Sequence, residues 1–428
     1  MSGPPLPRQA RLFLYAAGTV LLVWHINVEC SAVKTKPTLP TSSVKVRLGN
    51  DIFITRPPRE IWGRRLGLVI NHTAVLSDGT PLYKALQDKG LTVAAIFAPE
   101  HGFSGRIRAG EDVAETDLGK IRVFSLYGQS RRPTREQLKL VDALVYDIQD
   151  VGTRFYTYIT TLKYVLEAAA RSDISAYVLD RPNPAGGDLV EGPLLRPEFE
   201  SFIGALPIPI RYGLTCGELA AMMKGEGWIP QDIDLHIIPM EGWTRSQSWE
   251  DTGLRWIPPS PNIPHPHSAV AYPGTGLLGG IKLNQGLGTD DPFLRFGAPW
   301  MDPEAVLSRL PARMAEVIGL VRVSYTPRAI PGKSLEPPYR DQLCRGLKIR
   351  LKEPASFSSV HFTLHIIDVL KQMYPQRIFR DSETLTLMYG TGDLARYLRG
   401  EMAWEELMDA MRKDEELFRR QRRPYIIY

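Results

Sequence analysis

Short apolar segments alternate with amphipathic helical patterns from residue 66 to residue 238, and this alternation constrains the fold most strongly. The predicted strands are Leu66–Ile70, Val93–Ala98, Ile121–Leu126, Ala143–Tyr146, Ala176–Leu179 and Leu235–Ile238. The predicted helices are Leu82–Gln87, Arg135–Leu140, Thr157–Arg171 and Cys216–Lys224, the last with Thr215 as its cap and Glu218 at the capping-box position. Apolar strands that alternate with helices form a mostly parallel sheet covered on both faces. The pattern therefore predicts an α/β fold.

Polar residues follow four of these strands, at the points where the strands end. They are Asn71, Glu100, Asp147 and Asp180. In parallel sheets, ligands bind in the crevice beyond the carboxyl ends of the strands. Asn and Asp also form turns and cap helices, and we accept that interpretation for Asp180. Glu is a poor turn former, so Glu100 is the stronger candidate for a general acid.

The segment after the fourth strand, residues 147–158, concentrates polar groups. It contains Asp147, Gln149, Asp150, Arg154, Tyr156 and Tyr158. Arg154 either pairs with one of the two carboxylates or holds a substrate carboxylate through its planar guanidinium. The sequence leaves both alternatives open.

The pattern of the remaining residues predicts a smaller α+β part. Six prolines within 256–273 predict a rigid, extended crossing. Beyond it we predict a strand at Leu347–Leu351 and helices at Glu304–Leu320 (broken at Pro311), Val360–Met373, Asp393–Leu398 and Trp404–Phe418. We expect one domain over 46–245 and a smaller one over 246–428 that completes the cleft.

Residues 1–32 have the pattern of a targeting segment. Arg8 and Arg11 precede the apolar run Leu12–Trp24, and small residues follow at Ser31 and Ala32. A membrane span needs about 20 apolar residues, so a cleaved signal peptide fits better than a permanent anchor. The sequence therefore predicts a secreted or periplasmic protein without an integral membrane span after cleavage, with a linker over 33–45.

Composition excludes several classes of protein. The net charge of +5 is small and partly due to four arginines in 419–423, which argues against a dedicated nucleic-acid binder. Three cysteines are too few for a disulfide scaffold. After signal cleavage Cys216 and Cys344 remain, either as one disulfide or as two buried thiols.

Two patterns that could indicate a nucleotide or a metal site are incomplete. Residues 274–279 match G-x-G-x-x-G but lack the strand, turn and helix of a dinucleotide site. His361 and His365 lie four apart without the Glu of a zinc-protease motif, so we interpret them as structural. Asn71 begins a glycosylation sequon, which we expect to be unoccupied because a glycan would obstruct the crevice.

Several longer motifs resemble one known family. They are Phe97–Phe103, Tyr146–Tyr158, Leu179–Pro184, Val190–Pro193, Pro258–Asn262, Tyr272–Thr275 and Arg423–Tyr428. Together they resemble the exo-β-N-acetylmuramidase (NamZ-like) family of peptidoglycan hexosaminidases. The resemblance extends from about residue 50 to the carboxyl terminus.

The resemblance implies a secreted glycoside hydrolase with a Rossmann-like domain and a smaller second domain. Such an enzyme would release N-acetylmuramic acid from the non-reducing ends of peptidoglycan fragments, and its chemistry requires neither nucleotide nor metal. The family's proposed acid corresponds to Glu100 and its motif tyrosine to Tyr156. Asp147 or Asp150 would orient a water or the substrate's acetamido group.

Strand ends, the polar segment and the motifs together predict the residues that bind substrate. They are Asn71, His101, Arg106, Gln149, Asp150, Arg154, Asn183 and Glu191. Of these, Arg154 or Arg106 would hold the lactyl carboxylate that distinguishes muramic acid from glucosamine.

The chain departs from the family pattern at four positions. Gly279 and Gln285 stand where acidic residues are usual, Leu287 where an Arg is usual, and Tyr212 where a His is common. These changes leave two alternatives to active muramidase function: an altered sugar specificity, or a relative that binds glycan without cleaving it.

Overall fold

The computed structural model of the protein describes residues 45–105, 116–128, 130–311, 318–378 and 383–428. The predicted signal peptide, the linker except Lys45, and Arg106 lie outside these ranges. Within the described ranges, every helix is too short or too polar to span a bilayer.

The larger sheet has seven strands in the order β3-β4-β2-β1-β5-β6-β7. Its strands are β1 Arg65–Ile70, β2 Thr92–Ala98, β3 Thr116–Leu118, β4 Ile121–Ser125, β5 Ala143–Asp147, β6 Ser175–Leu179 and β7 Leu235–Ile238. Six strands run parallel, and the short β3 pairs antiparallel with β4. The parallel strands follow the doubly wound order 3-2-1-4-5-6 of a Rossmann-like fold. The predicted α/β class and all six predicted strands are confirmed.

Helices cover both faces of this sheet. They are α1 Gly49–Thr55, α2 Leu82–Asp88, α3 Arg135–Leu138, α4 Tyr158–Arg171 and α5 Cys216–Gly225. Alternate residues of β1 enter opposite cores, with Val69 packed on one face and Leu68 and Ile70 on the other. Burial on both faces explains why the strands read as continuous apolar runs. The predicted capping box of α5 is present, since the Thr215 hydroxyl accepts from the Glu218 N–H and Glu218 accepts from the Thr215 N–H.

The smaller part is built on an antiparallel sheet of three strands in the order β8-β10-β9. The strands are β8 Arg295–Ala298, β9 Ile318–Tyr325 and β10 Cys344–Leu351. Its helices are α6 Pro266–Thr275, α7 Pro303–Leu307, α8 Ser359–Met373, α9 Pro375–Ile378, α10 Glu383–Tyr389, α11 Asp393–Arg399 and α12 Trp404–Gln421. The predicted strand and the last three predicted helices are confirmed. Ser43–Tyr428 form a single compact unit, and the domain boundary at residue 245 stays a prediction.

Two elements of this part differ from the sequence prediction. The proline-rich segment is not one extended crossing: the Ile263 N–H donates to the Ser260 carbonyl in a turn, and Pro266 then occupies the first turn of α6, where a missing N–H costs nothing. Of the helix predicted over Glu304–Leu320, Glu304–Leu307 lie in α7 and Ile318–Leu320 belong to β9, while residues 312–317 lie outside the described residues. Pairing of β9 with β10 along its whole length overrides the helical pattern there.

The carboxyl terminus returns to the larger sheet. The Tyr428 hydroxyl donates to Asp180 Oδ2 at 2.8 Å, and the Ile427 N–H donates to Glu218 Oε1 at 2.9 Å. Asp180 also accepts from Thr215 and from the Gly217 N–H, which confirms its interpretation as a turn and cap residue. The two cysteines Cys216 and Cys344 are separate buried thiols rather than a disulfide.

Candidate active site

A cleft of about 330 Å³ lies beyond the carboxyl end of β2. Its aromatic lining comprises Tyr127, Phe155, Tyr156, Phe202, Tyr272 and Phe293. Its polar lining comprises Glu100, His101, Thr157, Ser260, Asn262 and Thr384, and its aliphatic lining Ile203, Ile263, Leu287 and Met388. Apolar walls with a few convergent polar groups are typical of small-molecule sites.

The backbone after β2 places Glu100 in the cleft. The Gly102 N–H donates to the Pro99 carbonyl at 3.0 Å, so the chain reverses directly after the strand. His101 takes a left-handed conformation with φ of 69°, a strained geometry for a residue other than glycine that is often found at functional sites. Glu100 is 8% exposed, and the Thr157 hydroxyl donates to its Oε2 at 2.5 Å. This contact fixes one oxygen of the carboxylate.

Arg154 anchors the loop that carries the next three cleft residues. Its guanidinium is fully buried and donates to the carbonyls of Pro193, Ile208, Met388 and Tyr389 at 2.6 to 3.0 Å. Burial lowers the pKa of Arg154 to about 9, so the side chain stays charged at neutral pH. Arg154 pairs with neither Asp147 nor Asp150, and it is not among the described residues that line the cleft, because four carbonyls hold its guanidinium. This position does not support the predicted contact with a substrate carboxylate.

The hydroxyl of Tyr156 is buried beside the cleft without a hydrogen-bond partner among the described residues. Its polar neighbour is the Tyr158 phenol, and the two ring centroids lie 4.8 Å apart in an edge-to-face arrangement. Burial, reinforced by Tyr158, raises the pKa of Tyr156 well above its ordinary value. The phenol is therefore a neutral group able to hydrogen-bond a ligand.

Asp147 is not part of the cleft. It is fully buried and forms a two-point ion pair with Arg181, with Oδ1 to Nε at 2.5 Å and Oδ2 to Nη2 at 3.0 Å. The Asn50 amide also donates to Oδ2 at 2.9 Å. Its predicted catalytic role is not supported by this position, because all these contacts hold the carboxylate at the end of β5.

Asp150 lies beside the cleft, in a small cavity with Gln149 and Asn183. Its Oδ2 accepts from the Tyr212 hydroxyl and from the Gly152 N–H. Burial raises the pKa of Asp150 to about 6, although both hydrogen bonds act to lower it. Tyr212, the residue that replaces the usual His, thus supplies a hydrogen-bond donor to this carboxylate.

Two other predicted binding residues, Asn71 and Gln149, contact the loops around the cleft and are not among its lining residues. The Asn71 amide donates to the Tyr158 hydroxyl at 3.1 Å, and Asn71 is 1% exposed. The Gln149 amide donates to the carbonyls of Asp150 and Pro182, both at 2.9 Å. These contacts position strand-end loops rather than face the cleft.

Glu191 and Asn183 are also structural in this arrangement. Glu191 forms a buried ion pair with Arg211, with Oε2 to Nη1 at 2.8 Å. The Asn183 amide donates to the Leu214 carbonyl at 2.9 Å. Of the predicted site residues, the structure brings Glu100, His101 and Tyr156 to the cleft, and Arg106 lies outside the described residues.

Several cleft residues were not predicted from the sequence. Thr157, Asn262 and Tyr272 line the cleft, and Thr157 contacts Glu100 directly. Each lies in or beside a motif that carries the family resemblance, and that position was the available signal. Leu287, one of the departures from the family pattern, also lines the cleft.

A second cavity of about 350 Å³ lies at the carboxyl ends of β1, β5 and β6. Thr73, Gln149, Arg181, Trp249 and Arg255 are among its lining residues. Its described lining includes one carboxylate, that of Asp78, and none at a strand end, because Asp147 is paired with Arg181. The first cleft is therefore the better candidate for acid catalysis.

Fold and site together define an α/β protein whose catalytic candidate is a single strand-end carboxylate in an aromatic cleft. Within the described ranges, no group of three or more His, Cys, Asp or Glu side chains is arranged to hold a metal ion.

Comparisons with known proteins agree with this class. The N-terminal family model of exo-β-N-acetylmuramidase NamZ matches residues 66–267, and the C-terminal model matches residues 270–428. The chain is 33% identical over 425 residues to the peptidoglycan β-N-acetylmuramidase NamZ of Bacillus subtilis, covering 98% of this chain and 100% of that protein.

Solved structures show the same fold. Two DUF1343 family proteins of Bacteroides fragilis match with TM-scores of 0.82 and 0.71 and identities of 32% and 31%. Each comparison covers 90% of this chain and 99% of the other. The chain therefore belongs to the exo-β-N-acetylmuramidase NamZ family, a family of glycoside hydrolases.

The pKa of Asp150 gives a testable pH dependence of stability. The pKa of Asp150 is about 6 in the folded protein, above the ordinary value of a carboxyl group. At a pH between these two values, Asp150 is protonated in the folded protein and ionised in the unfolded chain. The contribution of Asp150 to the free energy of unfolding therefore falls as pH rises through this window. Between pH 4 and pH 7, the free energy of unfolding of wild type should fall by up to about 3 kcal/mol relative to that of D150N, as measured by urea unfolding. D232N, at an exposed position, is the control; a constant difference between wild type and D150N would contradict the assignment.

Proposed function

We propose that the protein is an exo-acting glycoside hydrolase that releases N-acetylmuramic acid from the non-reducing ends of peptidoglycan fragments. The observation that carries this proposal is the position of Glu100, a carboxylate held by Thr157 inside an aromatic cleft. Membership of the NamZ family and the printed activity of the Bacillus subtilis relative support the substrate.

Glu100 is the general acid of the proposed reaction. It gives its proton to the glycosidic oxygen as the bond from that oxygen to the anomeric carbon breaks, and water supplies the new hydroxyl. Thr157 holds one carboxylate oxygen in place, which limits the orientations of the acid. The buried Tyr156 hydroxyl supplies a hydrogen bond to the bound sugar.

The size of the cleft supports exo action. At about 330 Å³ it lies at the lower end of the range of roughly 300–1,000 Å³ found for small-molecule pockets, enough for a terminal sugar rather than a run of them. Peptidoglycan lies outside the cytoplasmic membrane, so a secreted or periplasmic location, as residues 1–32 predict, completes the proposal.

Replacing Glu100 tests the acid directly. E100Q keeps the shape of the side chain but removes the transferable proton, so kcat/KM should fall by about 10²–10⁴-fold. The substrate is a disaccharide with N-acetylmuramic acid at its non-reducing end. The wild-type protein should not cleave the disaccharide in which N-acetylmuramic acid is at the reducing end. The loss should be smaller for a nitrophenyl glycoside, whose leaving group needs less protonation.

The matched control for this variant is E198Q, at an exposed position outside the cleft lining. Equal melting temperatures of the variants and wild type show that the fold is retained. Undiminished release of sugar by E100Q would refute the acid assignment. Binding of the disaccharide by wild type without release would instead indicate a glycan-binding relative, the alternative that Leu287 in the cleft favours.

Replacing Tyr156 separates binding from folding. Because its buried hydroxyl has no described partner, Y156F should keep or slightly raise the melting temperature. The same variant should lower kcat/KM by about 10–100-fold, the usual cost of a hydrogen bond to ligand. Calorimetric unfolding together with steady-state kinetics checks both parts. A large loss of stability with normal kinetics would show that the hydroxyl is structural.

A further inference from the structure

The described part of the cleft lacks a cation for the substrate's charge. N-acetylmuramic acid carries a lactyl carboxylate, yet no Lys or Arg occurs among the described lining residues. Arg154 is occupied by carbonyls, and Leu287 is apolar. A described cation that contacts a residue of this lining is therefore the candidate to bind the lactyl group.

Arg131 contacts one wall of the cleft, at Phe202, without itself belonging to the described lining. Its guanidinium carbon is 4.2 Å from the centroid of the Phe202 ring, within the range of a cation–π contact. Phe202 lines the cleft, and so does Tyr127, whose ring centroid is 5.8 Å from that of Phe202. The stacking holds the charged group beside the cleft in a limited set of orientations.

The charge of Arg131 is not compensated by any described acid. The side chain is exposed and forms no ion pair within the described ranges. The adjacent Arg132 differs, because it pairs with Glu167 while stacking on Tyr164. A guanidinium stacked through its face keeps its in-plane N–H groups available for a carboxylate.

We propose that Arg131 binds the lactyl carboxylate of N-acetylmuramic acid beside the cleft and so determines specificity for muramoyl sugars. The inference rests on the proposed function and assigns the recognition of the anion, which the sequence predicts at Arg154 or Arg106, to a different residue. Arg131 acts on a substituent remote from the glycosidic bond, so it affects KM and leaves kcat nearly unchanged.

The test compares two substrates that differ only in charge: nitrophenyl N-acetylmuraminide and its lactyl methyl ester. R131M keeps an unbranched side chain over Phe202 but removes the charge. It should raise KM for the acid by about tenfold and leave KM for the ester unchanged, a size expected of a partly solvated charged hydrogen bond. Added salt should raise the wild-type KM for the acid and have little effect on R131M.

The control is R122M, because Arg122 is also exposed and stacks on an aromatic ring, Phe124, that is not among the described cleft residues. R122M should match wild type with both substrates. If R131M leaves both KM values unchanged, or raises KM for the acid and for the ester by the same factor, the inference is overturned and the proposed function is unaffected. Hydrolysis of neither substrate by wild type would overturn both.

Discussion

The buried guanidinium of Arg154 is the interaction on which the candidate site depends. It joins the loop after β5 to the carbonyls of Pro193 and Ile208 and to those of Met388 and Tyr389, more than 230 residues along the chain. An uncompensated buried charge is costly, and four carbonyl acceptors supply what water would otherwise provide. Phe155, Tyr156 and Thr157 follow directly, so the same contacts that solvate Arg154 also fix one wall of the cleft.

A parallel sheet collects polar strand ends along one edge, and most of those in this protein serve structure. Asp147 pairs with Arg181, Asp180 caps α5 and accepts from Tyr428, and Asn71 holds Tyr158. Glu100 alone of the four lies in the cleft lining. The other three fix the loops around it, which gives the acid a rigid setting.

Local patterns were enough to predict the parallel sheet, since strands buried on both faces read as apolar runs regardless of their partners. These patterns failed where contacts between residues far apart in the sequence determine the secondary structure. β9 exists because it pairs with β10, and α6 begins at a proline that the composition of its segment marked as extended. At the site, Glu100 was predictable from its strand end and His101 and Tyr156 from the family motifs. The role of Arg154 was not, because its partners at Met388 and Tyr389 lie far away in sequence.

Chemistry in this cleft therefore combines one held carboxylate, one neutral phenol and aromatic walls, with charge recognition assigned to Arg131 beside it. We expect the sugar to bind against Glu100 and not in the cavity lined by Arg181 and Trp249. A crystal structure of E100Q with the muramoyl disaccharide tests this expectation most directly. The glycosidic oxygen should lie within about 2.6–3.2 Å of the side chain at position 100. A disaccharide bound between Arg181 and Trp249, with the first cleft empty, would contradict it.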